Sequence, residues 1–242
     1  MKTIKLHVLC EGQTELRFAS RVLATHLILK DILVLPQLLI TSKRKNARGG
    51  MLSYQQVVRD LTVMMKSATD SETEAHIFTT MFDLYALPSD FPGYKATSTA
   101  SGCVRVAAIE DAFAQAIDSR RFLPYIQLHE FEALVLCGLP ELAQSYPNAT
   151  RELTALQAEL QRVYGEDMEA VDGGLETAPS KRISKAMVGK YKYDKVKAGT
   201  EITARLGIEK LANRCRHFGD WLRKIEALCL ASRGSRSANY DK

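Results

Sequence analysis

The chain has 242 residues, a formal net charge of +5 and 46% hydrophobic residues, which is ordinary for a globular protein. Residues 25–40, its longest apolar stretch, are interrupted by charges and a proline, whereas a membrane-spanning helix needs about 20 apolar residues. The N-terminus lacks the hydrophobic segment and small-residue cleavage site of a secretory signal. We therefore expect a protein with no membrane segment that works in the cytoplasm.

The first element along the chain is an apolar run that predicts a buried strand at residues 4–10. It stops at Glu11 and Gly12, and an apolar pattern with helical spacing follows at about residues 14–30. In open α/β sheets, ligands bind at the carboxyl ends of the strands. An acidic motif with a glycine at this place favours a site, although Thr14 as a cap and Glu15 in a first helical turn are also ordinary structural features.

The next segments continue the alternation of strands and helices. The predicted elements are a strand at 32–40, a helix at 54–65, a strand at 76–85, a helix at 103–119, a strand at 122–128 and a helix from 131. Such alternation predicts an α/β fold with a mainly parallel sheet flanked by helices.

Beyond residue 140 the pattern becomes helical, with helices expected at 153–163, 200–212 and 218–230 and an acidic loop at 165–180. We therefore predict an α/β core at 1–140, a helical C-terminal portion at 141–232 packed on it, and a flexible tail at 233–242.

Carboxylates follow three of the predicted strands. Glu11 follows the first, Asp83 ends another, and Glu130 and Glu132 come directly after the strand at 122–128. Parallel strands bring these side chains to one edge of the sheet, where they repel unless they are protonated or share a cation. Oxygen ligands of this kind select Mg²⁺ or Mn²⁺. We therefore predict Glu11, Asp83, Glu130 and Glu132 as metal ligands.

Basic residues form two patches. One is the loop with Lys43, Arg44, Lys45 and Arg48, and the other runs from residue 181 to residue 197. Segregated basic patches suit a phosphate-rich partner such as nucleic acid, although a lysine-rich run is also common on a solvated surface.

The segment Ala178-Pro179-Ser180-Lys181-Arg182 begins the second patch and has two interpretations. Lys181 and Arg182 could hold a phosphate over the acidic edge. Alternatively, Ser180 could cap a helix whose basic residues are exposed.

Several motifs together resemble a bacterial family known only as a domain of unknown function, family 4276. They are Glu11-Gly12-x-Thr14-Glu15, Phe82-Asp83-Leu84-Tyr85-x-Leu87-Pro88, Pro124 to Leu134, Ala178 to Ile183, and Cys215-Arg216-His217-Phe218-x-x-Trp221. The resemblance covers about residues 4–230. That family is in turn similar, more distantly, to the topoisomerase–primase (Toprim) fold.

The Toprim similarity implies a role for each matching residue. Toprim domains carry a glutamate after the first strand as general acid/base and an Asp-x-Asp motif that holds Mg²⁺. Glu11 matches the glutamate and Asp83 the first aspartate, while Tyr85 stands where the second aspartate would be. Glu130 or Glu132 could replace that ligand; Asp90 is a weaker candidate.

These observations predict metal-dependent phosphodiester chemistry on nucleic acid, a nuclease-like reaction with Mg or Mn as cofactor. The catalytic candidates are Glu11, Glu15, Lys181 and Arg182. The resemblance also implies an ATPase partner and a role in defence against phage. The alternative is a non-catalytic module that binds nucleic acid or an ATPase, which Tyr85 at the second acidic position favours.

Overall fold

The computed structural model of the protein describes residues 2–40, 51, 53–171 and 174–234. Its strands are β1 (Thr3–Cys10), β2 (Ile32–Leu38), β3 (Glu74–Asp83), β4 (Phe122–Leu123) and β5 (Ile126–Gln127). They form one sheet in the order β2-β1-β3-β4, and β5 also pairs with β3. Every pairing is parallel, which confirms the predicted α/β fold with a parallel sheet.

Helices cover both faces of this sheet and make up the C-terminal part of the chain. They are α1 (Gln13–Phe18), α2 (Ala24–Ile28), α3 (Tyr54–Lys66), α4 (Gly102–Ile117), α5 (Glu132–Leu136), α6 (Leu139–Ser145), α7 (Thr150–Tyr164), α8 (Gly174–Thr177), α9 (Pro179–Met187), α10 (Lys195–Leu206), α11 (Ile208–Arg214) and α12 (Arg216–Gly234). A π-helical segment, Ala19–Leu23, joins α1 to α2, and 3-10 turns lie at Leu84–Ala86, Pro147–Ala149 and Met168–Ala170. None of the described helices is long and apolar enough to cross a membrane.

Two hydrophobic cores lie on opposite faces of the sheet. Alternation along β1 directs Leu6 and Val8 into the core shared with α1, α5, α10 and α12. Leu9 points into the other core, which α3 and α4 cover. The first core also contains Leu142 and Leu153, so helices from both sides of residue 140 pack on one another and on the sheet.

The predicted strand at 122–128 is two short strands, β4 and β5, with Pro124 between them. Proline has no N–H to donate to a strand ladder. At the next residue, Tyr125, the Thr80 hydroxyl takes the place of a backbone partner. It accepts from the Tyr125 N–H and donates to the Tyr125 carbonyl, both at 3.0 Å. Pro36 does not interrupt β2, which lies at the edge of the sheet, where proline is tolerated.

Two other boundaries differ from the prediction. The segment at 165–180, expected to be a loop, contains the 3-10 turn Met168–Ala170, helix α8 and the start of α9. Helix α12 continues to Gly234, so residues 233–234 are helical and do not belong to a tail. Beyond the predicted end at residue 230, the Arg233 guanidinium group donates to the Lys30 carbonyl, which holds this last turn against the segment before β2. Residues 235–242 lie outside the described part of the chain.

Candidate functional site at the carboxyl edge of the sheet

Acidic side chains from three neighbouring strand ends meet at the carboxyl edge of the sheet. Glu11 follows β1, Asp83 ends β3, and Glu130 and Glu132 follow β5. The Asp83 N–H donates to Oε2 of Glu11 at 3.1 Å, so these two residues lie on the same edge, as predicted. Together with Glu15 from α1, these residues are called the sheet-edge cluster below.

Glu15 belongs to this cluster because its side chain folds back over Gly12. The carboxyl group of Glu15 is buried at 7% exposure and lies against the backbone N–H groups of Gly12 and Glu15 itself. A Cβ atom on Gly12 would lie 3.0 Å from Oε2 of Glu15, which is too close for an ordinary contact. The glycine therefore allows the carboxylate to pack against the start of the helix, where the peptide dipoles favour negative charge.

Burial and mutual repulsion disfavour negative charge in this cluster. Burial raises the pKa of Asp83 well above its ordinary value, and the charges of Glu15 and Glu11 raise it further. Burial raises the pKa of Glu15 to about 7, partly offset by backbone N–H groups. Burial also raises the pKa of Glu132 to about 7 and that of Glu11 above its usual range. Carboxyl groups poised near neutral pH can exchange protons with a substrate, or release protons when a cation binds.

Glu130 has a distinct role, because both of its carboxylate oxygens bind the first turn of α9. The Ser180 N–H donates to Oε1 at 2.5 Å, and the Ser180 hydroxyl donates to Oε2 at 3.1 Å. His129, with a left-handed φ of 66°, turns the chain between β5 and α5 and so directs Glu130 toward α9. Glu130 therefore holds α9 beside the cluster, and its oxygens are less free to bind a metal than those of Asp83.

Lys195, which the sequence placed only in the second basic patch, belongs to this cluster. Its ammonium group lies 3.1 Å from Oε1 of Glu132 and 3.8 Å from Oε2 of Glu130. The helix predicted at 200–212 begins at Lys195 instead, after Asp194 caps it by accepting from the Lys197 N–H. An Asp followed by a helical pattern was the available signal for this earlier start.

Close helix packing brings Lys195 to the cluster. A Cβ atom on Gly199 would lie 3.1 Å from Cε1 of Phe131 and 3.6 Å from Cγ2 of Thr14. The absence of a side chain at Gly199 therefore lets α10 approach both α1 and α5. These are the helices that carry Glu15 and Glu132, so one contact aligns the lysine with the carboxylates.

The predicted phosphate ligands are separated by the structure. Lys181 is exposed on α9 near Glu130 and Ser180. Arg182 instead donates to the Thr177 carbonyl at 2.8 Å and to Glu159 at 3.2 Å. Its guanidinium group therefore stabilises the packing of α9 beside α7.

Other predicted residues lie in structural positions. Ser180 does not cap α9, since the N-cap is Ala178 and the Ser180 hydroxyl is bound to Glu130. Asp90 accepts from the Tyr54 N–H at the start of α3, away from the cluster. Tyr85 lies in the 3-10 turn after β3 and is 45% exposed. The basic loop with Lys43, Arg44, Lys45 and Arg48 lies outside the described residues.

A second buried acidic group, in the segment expected to be a loop, was also missed. Glu169 is 1% exposed and accepts hydrogen bonds from the His217 N–H at 2.7 Å, the Phe218 N–H at 3.3 Å and Nε2 of Gln127 at 3.1 Å. His217 in turn contacts Glu110 at 3.0 Å. These four polar residues, Glu169, Gln127, His217 and Glu110, are called the α12 anchor because they fix the start of α12 to the sheet and α4.

The donor set of the sheet-edge cluster fits a hard cation such as Mg²⁺ or Mn²⁺, which binds carboxylate oxygens. Oδ1 of Asp83 is buried and has no hydrogen-bond partner among the described residues. In the same part of the chain, however, no three His, Cys, Asp or Glu side chains are already arranged to hold a metal ion. Metal binding would therefore require rotation of the carboxylates toward one another.

A family model described as "Domain of unknown function (DUF4276)" matches residues 10–226, so the chain belongs to that family. No curated protein and no solved structure matches the chain significantly. The comparisons therefore establish the family and leave its activity, and the similarity to the Toprim fold, to be tested.

Proposed function

We propose that the protein carries out metal-dependent phosphodiester chemistry on nucleic acid, a nuclease-like reaction that uses Mg²⁺ or Mn²⁺ in the cytoplasm. The observation that carries this proposal is the sheet-edge cluster, in which Glu11, Glu15 and Asp83 gather at the strand ends with raised pKa values. Structural carboxylates are normally paired or hydrogen-bonded, whereas Oδ1 of Asp83 has no partner among the described residues. Crowded acids that disfavour their own charge are typical of functional sites.

Each residue has a role that follows from its position. Asp83, Glu132 and Glu15 would hold the cation, which would polarise the phosphate and stabilise the leaving oxygen. Glu11 lies against the Asp83 backbone and would move a proton. Lys195, beside Glu132, would hold a phosphate oxygen, and Lys181 would attract the nucleic-acid backbone. Glu130 and Arg182 would position α9 and make no contact with the substrate.

The family resemblance is the basis for proposing a partner. An ATPase that loads or remodels nucleic acid would deliver the substrate, and such a pair would suit defence against phage. Lys181, exposed on α9 beside Glu130 and Ser180, favours a nucleic-acid partner at this edge of the sheet.

Metal binding tests the proposal most directly. Thermal unfolding of the wild type should shift upward with Mn²⁺ or Mg²⁺, since an ion that binds the folded state at 100 times its Kd stabilises it by about 2.7 kcal/mol. The variant Glu11→Gln/Asp83→Asn should show no such shift. Glu201→Gln, which removes an exposed carboxylate on α10, serves as the matched control and should respond like the wild type. An equal response in all three proteins would place the ion elsewhere and contradict the proposal.

The second candidate function is a non-catalytic module that binds nucleic acid or an ATPase. Tyr85 at the position of the second Toprim acid favours it, as does the need for carboxylates to rotate before three of them can share an ion. Cleavage assays on single- and double-stranded DNA and RNA discriminate the two. Retained binding with no cleavage in either metal, with the partner ATPase supplied, would support the module.

A further inference from the structure

A cavity of about 380 Å³ opens beside the sheet-edge cluster. Glu130 and Ser180 belong to its wall, so the cavity is continuous with the acidic edge. The remaining lining residues relevant here are Tyr85, Tyr94, Arg105 and Lys181. Its volume is within the range of about 300–1,000 Å³ that is usual for sites that hold a small molecule or one monomer of a polymer.

Two tyrosines give the cavity aromatic walls. Tyr85 is 45% exposed, and its ring centroid lies 5.3 Å from that of His129. Tyr94 is half-buried, with the Arg105 guanidinium carbon 4.7 Å from its ring centroid. An exposed tyrosine ring in a concave site is suited to stacking against a planar group, and bases of every sequence have such a face.

Cationic groups accompany the rings. Arg105 is half-buried and lines the cavity, where its guanidinium group brings a positive charge. Lys181 is exposed on the side of the cavity that Ser180 and Glu130 form. An arginine over an aromatic ring and a lysine nearby supply the charge that a phosphate needs, next to rings that accept a base.

We propose that this cavity binds one unpaired nucleotide, with its base stacked on Tyr85 and its phosphate between Lys181 and Arg105. A cavity of this volume has room for one nucleotide and is smaller than a base pair with both of its backbones. The same chemistry is offered by a free nucleoside phosphate and by a nucleotide in a single strand or frayed end. The proposal deepens the proposed function, since an unpaired nucleotide held here would place the adjoining phosphate at the sheet-edge cluster.

The test is fluorescence anisotropy with labelled single strands of about 16 nucleotides and the matching blunt duplex. A chelator is included so that no metal-dependent cleavage interferes. The wild type should bind the single strand more tightly than the duplex. Tyr85→Ala should weaken single-strand binding by about 5- to 150-fold, the range expected for losing one stacked base. Tyr85→Phe keeps the ring and should bind like the wild type.

Lys181→Ala and its matched control Lys185→Ala, one turn farther along α9, test the phosphate contact. Lys181→Ala should weaken binding, and reduce the salt dependence of binding, more than Lys185→Ala does. Without Lys181 one phosphate is no longer neutralised by the protein, so fewer counterions leave the nucleic acid on binding. Competition with a mononucleotide identifies the source of the ligand. If a mononucleotide displaces the strand completely and longer strands bind no more tightly, the ligand is a free nucleoside phosphate. If strands bind more tightly than the mononucleotide, the ligand is a nucleic-acid end.

Equal affinity for strand and duplex, or unchanged binding in Tyr85→Ala that unfolds at the wild-type temperature, would overturn the proposal. Cleavage measured separately with Mg²⁺ or Mn²⁺ distinguishes this failure from failure of the proposed function. Binding that depends on Tyr85, without cleavage, would support the nucleotide site and contradict the proposed nuclease function. Metal-dependent cleavage that is unchanged in Tyr85→Ala would support the nuclease function and contradict the nucleotide site.

Discussion

The α12 anchor and the sheet-edge cluster both contain buried carboxylates, and the surroundings of these carboxylates differ. In the α12 anchor, Glu169 accepts from two backbone N–H groups and from Gln127. In the sheet-edge cluster, Oδ1 of Asp83 has no partner among the described residues, and its neighbours are other acids.

The causes of the raised pKa values in the two groups express this difference. Burial raises the pKa of Glu169 to about 7, while the His217 charge and the backbone donors lower it. For Asp83, burial and the charges of Glu15 and Glu11 all raise the pKa. Hydrogen bonds offset part of the cost of burying the Glu169 carboxylate, whereas crowded acids raise the energy of the fold until protons or a cation neutralise them. The comparison therefore separates a structural carboxylate from candidate functional ones.

The largest expected effect is in the α12 anchor. Glu169→Ala should lower the free energy of unfolding by about 3 kcal/mol or more, because it leaves the N–H groups of His217 and Phe218 buried without an acceptor and removes one of the two acceptors of the Gln127 amide. Urea unfolding with Glu169→Gln as the control measures this. The glutamine keeps one acceptor oxygen and should lose less stability.

This variant also tests the division into two groups. A Glu169→Ala protein that remains folded should keep its thermal response to Mn²⁺, because the response belongs to the sheet-edge cluster. Loss of the metal response with the fold intact would show that the two groups act together.

The sequence could predict the sheet-edge cluster only where it depends on strand ends. Glu11 and Asp83 follow apolar runs that form neighbouring parallel strands, so their shared edge follows from the pattern. Glu130 and Glu132 were placed by the same argument, even though their strand is broken at Pro124. An apolar run that ends at a carboxylate is a local signal, and alternating strands and helices imply parallel neighbours that share a carboxyl edge, which explains why the placement of these residues at one edge could be predicted.

Residues that arrive through helix packing could not be predicted in this way. Lys195 reaches Glu132 because Gly199 lets α10 approach Phe131 closely, and no local pattern encodes that contact. For Arg182, charge alone predicted a phosphate ligand, but the Thr177 carbonyl and Glu159 bind it. Side-chain partners in a helical region depend on tertiary contacts, and composition does not determine them.

A smaller effect should appear in the pH dependence of stability, through Glu15 of the sheet-edge cluster. The pKa of Glu15 is about 7 in the folded protein and about 4.5 without burial, so the folded state holds a proton that the unfolded chain releases in this window. Stability from this group is therefore present below pH 4.5 and falls as pH rises to about 7. The free energy of unfolding of Glu15→Gln, relative to that of the wild type, should therefore increase by about 2 kcal/mol between pH 5 and pH 8.

Urea unfolding at each pH measures the difference in free energy of unfolding between the wild type and Glu15→Gln. This difference does not contain the contributions of His7 and Glu169, which are common to both proteins. The pKa of His7 is lowered by burial to about 4, so it acts in the opposite direction over part of this range. At pH 8, Mn²⁺ should stabilise the wild type and so reduce the difference in free energy of unfolding between the two proteins. A difference that stays constant with pH would mean that Glu15 is not protonated in the folded state near neutral pH.

The smallest effect on stability should come from Lys195→Met, although this variant tests the cluster most finely. Lys195 is 49% exposed, and an ion pair with that much solvent contact contributes less than about 1 kcal/mol. Methionine retains the apolar length of the side chain that packs beside Glu132. Removing the ammonium group leaves the carboxylates with less compensating charge, so the affinity for Mn²⁺ should increase while cleavage decreases.

Isothermal titration with Mn²⁺ measures the affinity, and Lys197→Met, which replaces an exposed lysine of the same helix, is the control. If both substitutions change Mn²⁺ affinity equally, the effect is one of general surface charge and Lys195 has no specific place among the carboxylates. If Lys195→Met alone binds Mn²⁺ more tightly and cleaves more slowly, the lysine and the metal neutralise the same carboxylates and the lysine acts on the substrate.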